Sequence, residues 1–374
     1  MDGNTYTGDV PHPGYYIREE LEARQWTQRD LAYILGTPEQ AVNMIISGKR
    51  GISPEMAKAL AQAFDVHADL FANLQRAYDM ARARDPDPGV ARRARLQSVY
   101  PVREMIRRNW LTDSDAGMLE AQMAAFFEVA NANEIPHLQH AARKSSYHDE
   151  VPPAQLAWLF RVRQIARTMV VGRYSEKALR EALQRLRTLL ADPEEARSVP
   201  RILAECGVRL VIVEILPNAK IDGVCLWLDK SSPVIGLSMR FDRIDNFWFV
   251  LRHEIEHVLR KDGQEQEIID IEVEAKRPIE ELPPEEVAAN AAAASFCVPQ
   301  DEMNSFIARK APFFAERDVI GFARRLGVHP GLVVGQIQKR TERWDFLRRY
   351  LVKVRAFVLP GAIVDGWGVA APID

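Results

Sequence analysis

A mainly α-helical protein with one small β-sheet, an α+β chain, is what this sequence predicts. Three observations lead there. Between Pro13 and about Ala83, apolar residues recur at helical spacing and are punctuated by caps and breakers. From about 96 to 200, amphipathic helical segments return in longer form. At Gly207 the period changes, and three short β-rich runs precede one long apolar helix. The chain accordingly divides into a five-helix stretch (12–83), a linker and helical middle region (84–200), a sheet-bearing domain (201–340) and a C-terminal helix with an irregular tail (341–374).

At 374 residues the chain is longer than one compact domain and has room for two or three. A net charge of −3 argues against a globally basic nucleic-acid binder, although a small module can carry its own local charge. Cys206, Cys225 and Cys297 lack C-x-x-C spacing and sit among apolar residues, which suits buried free thiols in a reducing cytosol. Met1 to Val10 has no apolar signal core, and no apolar run is long enough to cross a bilayer.

The first helix follows Pro13, with Ile17 and Leu21 facing Trp26 across a loop. Thr27 caps the second and Asp30 takes the reciprocal position of a capping box. Leu31, Ile34 and Leu35 face the core, and Gly36 ends the helix. Thr37 is the expected N-cap of the third helix, with Pro38 in its first turn and Val42, Ile45 and Ile46 buried. Ser53-Pro54-Glu55 opens a fourth helix, and a fifth covers about 67–83.

Two short helices joined at a glycine are the physical content of a helix-turn-helix. The second would lie in a major groove and present Glu39, Gln40 and Asn43 to base edges, with Thr37 at its entry. Gln28, Lys49 and Arg50 are placed for phosphates. The plainer alternative is a five-helix protein-interaction module. The "HPG" opening, "WTQRDLA" and "GKRGIS" make residues 12–80 resemble the Xre-type helix-turn-helix of HigA-like antitoxins. That resemblance implies binding of a palindromic double-stranded operator by a homodimer.

Asp85-Pro86-Asp87-Pro88-Gly89 reads as a linker. The arginines that follow (92, 93, 95, 103, 107 and 108) could touch DNA backbone or form a solvated helix face. Helices are expected over Met118–Val129, Leu156–Val171 and Ala178–Leu190. His137, His140 and His148 have no trusted ligand spacing, so this region spaces, dimerises or senses.

Strands are expected at 208–213, 222–228 and 233–238. The stretch 233–239 is the candidate sheet edge, open to a peptide that adds as a further strand. The helix from about Asp245 to Arg260 then carries His253-Glu254-Ile255-Glu256-His257, an H-E-x-x-H motif. Residues four apart share a helix face, so the two histidines can grip one metal ion while Glu254 leans toward its water. A third ligand must come later. The acidic run from Asp262 reads mostly as a solvated loop. Glu286 is the preferred ligand, on an alanine-rich helix able to pack closely, and Glu285 is the alternative.

"FWFVLRHEIEHVL" and "EVAANAAAASFCVP", with "LGVHPGLVVGQIQ" after them, make residues 200–340 resemble the ImmA/IrrE zinc metallopeptidases, a zincin-like domain. Glu286 falls on that family's ligand glutamate and Pro299 on its closing proline. Ala292 replaces a usual aromatic and Glu256 a usual small residue, which bears on pocket shape more than on metal binding. The resemblance implies Zn²⁺, with Glu254 as general base and then acid in peptide hydrolysis. His329, Arg240 and Tyr350 are candidate oxyanion donors, with a helix-start role the stronger reading for His329. Asp242, Asp245 and Glu256 are candidates to orient a ligand histidine. A helix pair is expected over 319–337, another helix over 343–355, and irregular chain after Pro360.

Two functions fit these features. One is a DNA-binding regulator fused to a zinc endopeptidase that cleaves a specific repressor or toxin. The other is a non-catalytic antitoxin-like repressor whose metal domain senses zinc or binds a partner.

Overall fold

The computed structural model describes residues 10–131, 152–264, 268–271 and 282–371, and the chain forms two compact units, Met1–Asp87 and Pro88–Asp374. His137, His140 and His148, and most of the acidic run between Glu265 and Glu281, lie outside the described residues.

The first unit contains α1 (Pro13–Arg24), α2 (Gln28–Leu35), α3 (Glu39–Ile46), α4 (Pro54–Phe64) and α5 (Leu70–Arg82). Ile17, Leu21, Leu31, Val42, Ile45, Leu60, Phe64 and Phe71 meet in its core. The capping box forms: Thr27 Oγ1 accepts from Asp30 N and Asp30 Oδ2 accepts from Thr27 N; the Thr27 hydroxyl also donates to Asp30 Oδ2, and this bond, with the one from Thr27 N, holds the Asp30 carboxyl below its usual range. Gly36 closes α2 at φ 61°. Thr37 is not the cap of α3. Pro38 stands there instead, with no side-chain cap, because Thr37 N–H is drawn back to the Ala32 carbonyl in the turn that ends α2.

The second unit begins with α6 (Pro88–Val99), α7 (Val102–Arg107), α8 (Ala116–Phe126), α9 (Pro153–Thr168), α10 (Glu176–Thr188) and α11 (Val199–Glu205). Strands β1 (Arg209–Val213), β2 (Ile221–Trp227) and β3 (Pro233–Leu237) follow, then α12 (Ile244–Arg260), β4 (Ile268–Ile271), α13 (Pro284–Cys297), α14 (Gln300–Lys310), α15 (Glu316–Leu326), α16 (Pro330–Thr341), α17 (Arg355–Val358) and β5 (Ile363–Asp365).

Among the described residues the strands make one sheet, in the order β4-β2-β3-β1-β5. β1 runs parallel to β3 and β5, whereas β2 runs antiparallel to β3 and β4. Both faces are covered, which explains near-continuous apolar strands in place of simple alternation. Val211, Val213, Val224, Leu226 and Val234 pack against α9 and its neighbours. Leu210, Ile212, Cys225, Ile235 and Leu237 pack against the layer that includes α12. The middle helical region thus supplies one cover of the sheet: α9 buries Trp158, Val162, Ile165 and Ala166 completely. On the same side, the buried Arg161 and Asp365 pair, and Trp110 Nε1 donates to Asp365 Oδ1, anchoring β5.

The structure departs from the sequence pattern at four further places. The stretch 233–239 is not an edge, since β3 is hydrogen-bonded to β2 on one side and β1 on the other. Strand β4 arises inside the acidic run, and β5 inside the tail that reads as irregular. No long helix spans 343–355; a 3₁₀ turn at Arg348–Tyr350 and the short α17 stand there. Its backbone is engaged elsewhere: Val354 N and Arg355 N donate to Asp242 Oδ1, and Val352 O accepts from Ile244 N.

Candidate metal centre and helix-turn-helix surface

Helix α12 is apolar on nearly every side, with Phe247, Trp248, Val250, Leu251, Ile255 and Val258 all buried, so the residues between them are carried into the interior. His253, Glu254 and His257 are at most 1% exposed. Ala289 and Ala293 of α13 are fully buried, and their small side chains let α13 lie close to α12 and bring Glu286 to the histidines.

His253, His257 and Glu286 are the one His/Cys/Asp/Glu group among the described residues arranged to hold a metal ion. The two Nε2 atoms are 3.0 Å apart, and each lies 3.4 Å from a Glu286 oxygen. Donors about 2.0–2.2 Å from a tetrahedral ion stand about 3.3–3.5 Å from one another. The two separations to Glu286 match that spacing and the two nitrogens stand about 0.3 Å closer, so the three atoms sit near the corners a tetrahedral ion needs. Two imidazoles and a carboxylate also form the donor set that suits zinc. Glu285, half-buried in the first turn of α13, is not part of the group.

Two contributors are not evident from the sequence. His257 Nδ1 lies 3.1 Å from Asp262 Oδ2, so Nδ1–H is directed at the carboxylate and the Nε2 lone pair at the site. The left-handed Lys261 turns the chain back after α12, and Asp262 O accepts from Trp227 Nε1 at 2.9 Å, docking this turn on β2. Asp242, Asp245 and Glu256 do not take the orienting role. Asp242 accepts from Val354 and Arg355, Asp245 pairs with Arg243, and Glu256 with Arg252. The second contributor is Gly223 of β2, where a Cβ would stand 2.2 Å from Glu254 Oε1.

The candidate oxyanion donors are held in other contacts. His329 caps α16, its Nδ1 accepting from Gly331 N at 3.1 Å. The Tyr350 hydroxyl donates to Glu316. Arg240 pairs with Asp222, the neighbour of Gly223 on β2, at 3.2 Å. All three cysteines are free and buried, and burial pushes the Cys297 thiol up to about 12.

In the first unit, Glu39, Gln40 and Asn43 are exposed on α3, and Lys49 and Arg50 are exposed in the turn after it. Thr37 is half-buried. Gln28 Oε1 accepts from Asn43 Nδ2 at 3.2 Å, and Arg29 pairs with Glu39, so α2 holds two side chains of α3 in place. Of the later arginines, Arg108 is buried against the Glu214 and Ile215 carbonyls, and Arg92 and Arg107 pair with Glu120 and Glu104.

Residues 17–71 match the family model described as helix-turn-helix. Over 73 residues the chain is 36% identical to Virulence-associated protein A' of Dichelobacter nodosus, covering 19% of this chain and 64% of that protein. The chain thus spans less than two thirds of the length of that relative. A solved structure, the addiction-module antidote protein of a HigA family from Coxiella burnetii, is 34% identical over 20% of this chain and 80% of its own, with a TM-score of 0.19. Fold and family match together define the N-terminal unit as a helix-turn-helix domain, with α2 and α3 as its paired helices.

Proposed function

We propose that this chain is a DNA-binding transcriptional regulator carrying a zinc-dependent endopeptidase of the ImmA/IrrE type. It acts in the cytoplasm, as a homodimer on operator DNA, and hydrolyses a peptide bond in one partner protein, a repressor or a toxin. The observation that carries this reading is the convergence of His253, His257 and Glu286 beside the fully buried Glu254. The helix-turn-helix match supports the DNA-binding half.

A zinc ion held by those three side chains would act as Lewis acid and lower the pKa of a bound water to about 7. Glu254 takes a proton from the attacking water on its carboxylate and returns it to the leaving amine. Asp262 fixes the His257 ring and its tautomer. The apolar walls of α12 and α13 exclude bulk water, which strengthens each charge interaction in the site. A cluster this enclosed suits one extended substrate segment better than general digestion.

The test is Glu254→Gln. This variant is expected to keep zinc and lose cleavage, so that one protein disappears from the cell only when Glu254 is intact. A variant that performs every cellular task would assign the metal domain to zinc sensing or partner binding in an antitoxin-like repressor.

A further inference from the structure

The strand next to the catalytic glutamate is β2. Gly223 lies against Glu254, and the turn at Asp262, which orients His257, is hydrogen-bonded to Trp227 at the far end of the same strand. A peptide that adds to the sheet and reaches Glu254 must therefore pair with the outer edge of β2, since β3 holds the inner one. That outer edge is taken. β4 pairs with it antiparallel, with Ile271 opposite Ile221, Asp270 opposite Gly223, Ile269 opposite Val224 and Ile268 opposite Cys225.

We propose that β4 is an internal stand-in for a substrate strand, and that the site opens to an extended peptide only when β4 leaves β2. The inference rests on the peptidase reading and adds its regulation. Geometry supplies the argument. A peptide pairing outside β4 sits one strand spacing further out, about 4.8 Å. Proton transfer from Glu254 needs contact at about 2.6–3.2 Å. The resident strand blocks productive binding whichever edge the peptide chooses.

Two features make the exchange feasible. β4 is only four residues long, and the β2–β4 register shifts between Ile221 and Gly223, so the ladder is interrupted beside the site. β4 is also joined covalently to both α12 and α13, so an incoming peptide competes with an intramolecular strand whose effective concentration is on the order of millimolar. A weak or accidental peptide loses that competition. A partner that also docks elsewhere on the protein can win it, which gives specificity without a closed pocket.

The test uses the full-length, zinc-loaded protein and a fluorescein-labelled peptide copying residues 265–274. Ile269→Pro removes one strand N–H and disfavours pairing. In a Glu254→Gln background, fluorescence anisotropy is expected to give at least tenfold tighter peptide binding with Ile269→Pro than without it. Equal or weaker binding overturns the inference. The double variant Ile269→Gly/Asp270→Gly weakens the strand more gently and replaces the proline variant if circular dichroism reports unfolding. With Glu254 restored, cleavage of the peptide is expected to rise at least tenfold. Tighter binding with no Glu254-dependent cleavage would leave the strand exchange standing and remove the peptidase reading. Glu254-dependent cleavage at one rate with and without the substitution would do the reverse.

Discussion

Gly223 and Glu254 meet where β2 crosses α12: a Cβ on the glycine would stand 2.2 Å from the glutamate Oε1 and 2.9 Å from a methyl of Val250. The Glu254 carboxylate is thus seated in a space that one missing side chain creates. Gly223→Ala is expected to cost about 1–3 kcal/mol of unfolding free energy, the usual range for overpacking. It is also expected to displace Glu254 and, if the proposed peptidase activity holds, to lower peptide cleavage at least tenfold. Chemical unfolding and peptide cleavage measure the two effects, and an alanine variant matching the parent in both would remove the contact from the account.

The His253–His257–Glu286 cluster, read as a zinc site, predicts a graded series. His253→Ala, His257→Ala and Glu286→Ala each remove a donor and are expected to abolish stoichiometric zinc in elemental analysis, whereas Glu285→Ala leaves it intact. Asp262→Asn keeps all three donors but weakens the hold on His257, and zinc affinity is expected to fall about 10–100-fold in competition with a chelator. Unchanged affinity would reduce the His257–Asp262 contact to a structural one.

On the helix-turn-helix, Gln40→Ala and Asn43→Ala are expected to lower operator preference more than binding to random DNA. Gln28→Ala should behave like a partial Asn43→Ala, because Gln28 accepts a hydrogen bond from the Asn43 amide. Lys49→Ala and Arg50→Ala should weaken binding to all sequences and reduce the salt slope by about 1. Binding titrations over a range of salt separate these outcomes; a uniform loss for Asn43→Ala would make it a phosphate contact.

The tripeptide His-Pro-Gly occurs at residues 12–14 and 329–331 and builds the same helix start twice. Each histidine Nδ1 accepts from the glycine N–H, at 2.9 and 3.1 Å, and each glycine faces backbone that leaves no room for a Cβ, Ile45 O and Tyr350 O, at 2.3 Å. Burial holds both histidines below the usual imidazole range, opposed by Asp79 at His12 and by Asp192 at His329, with Arg82 adding to the lowering at His12. A lowered folded value means the unfolded chain takes the proton first. The caps therefore contribute fully above about pH 6.5, the ordinary histidine value, and are lost as pH falls through the folded values. His12→Asn keeps the acceptor without the titration, so its melting temperature should fall less on acidification from pH 8 to 5. Parallel curves would show that the cap does not titrate.

Much of this protein is legible along the chain. Thr27 and Ser53 mark the starts of α2 and α4, and the change of period at Gly207 marks the strands, because each signal is local. His253, Glu254, His257 and Glu286 are readable because two regular helices carry them and helical spacing fixes which residues share a face. Asp262 is hidden because it follows the helix end in an acidic run, where its neighbours look alike. Gly223 is hidden because a glycine in a strand does not announce what approaches it. The helix expected over 343–355 has suitable residues, but Asp242 and Ile244 engage its backbone instead.

The order of the strands is the clearest case of a decision made only in three dimensions. β2, β3 and β4 are all short and apolar-rich, and nothing in their composition says which lies at the edge. By itself the sequence determined most of the helices, the existence of a sheet, and the helix positions of the candidate metal ligands, since all of these follow from spacing and local propensity. The tertiary structure decided which strand flanks Glu254, which carboxylate orients His257, and that β4 pairs with the outer edge of β2. Those are pairings between residues far apart in the chain, fixed by which faces the two cores bury together.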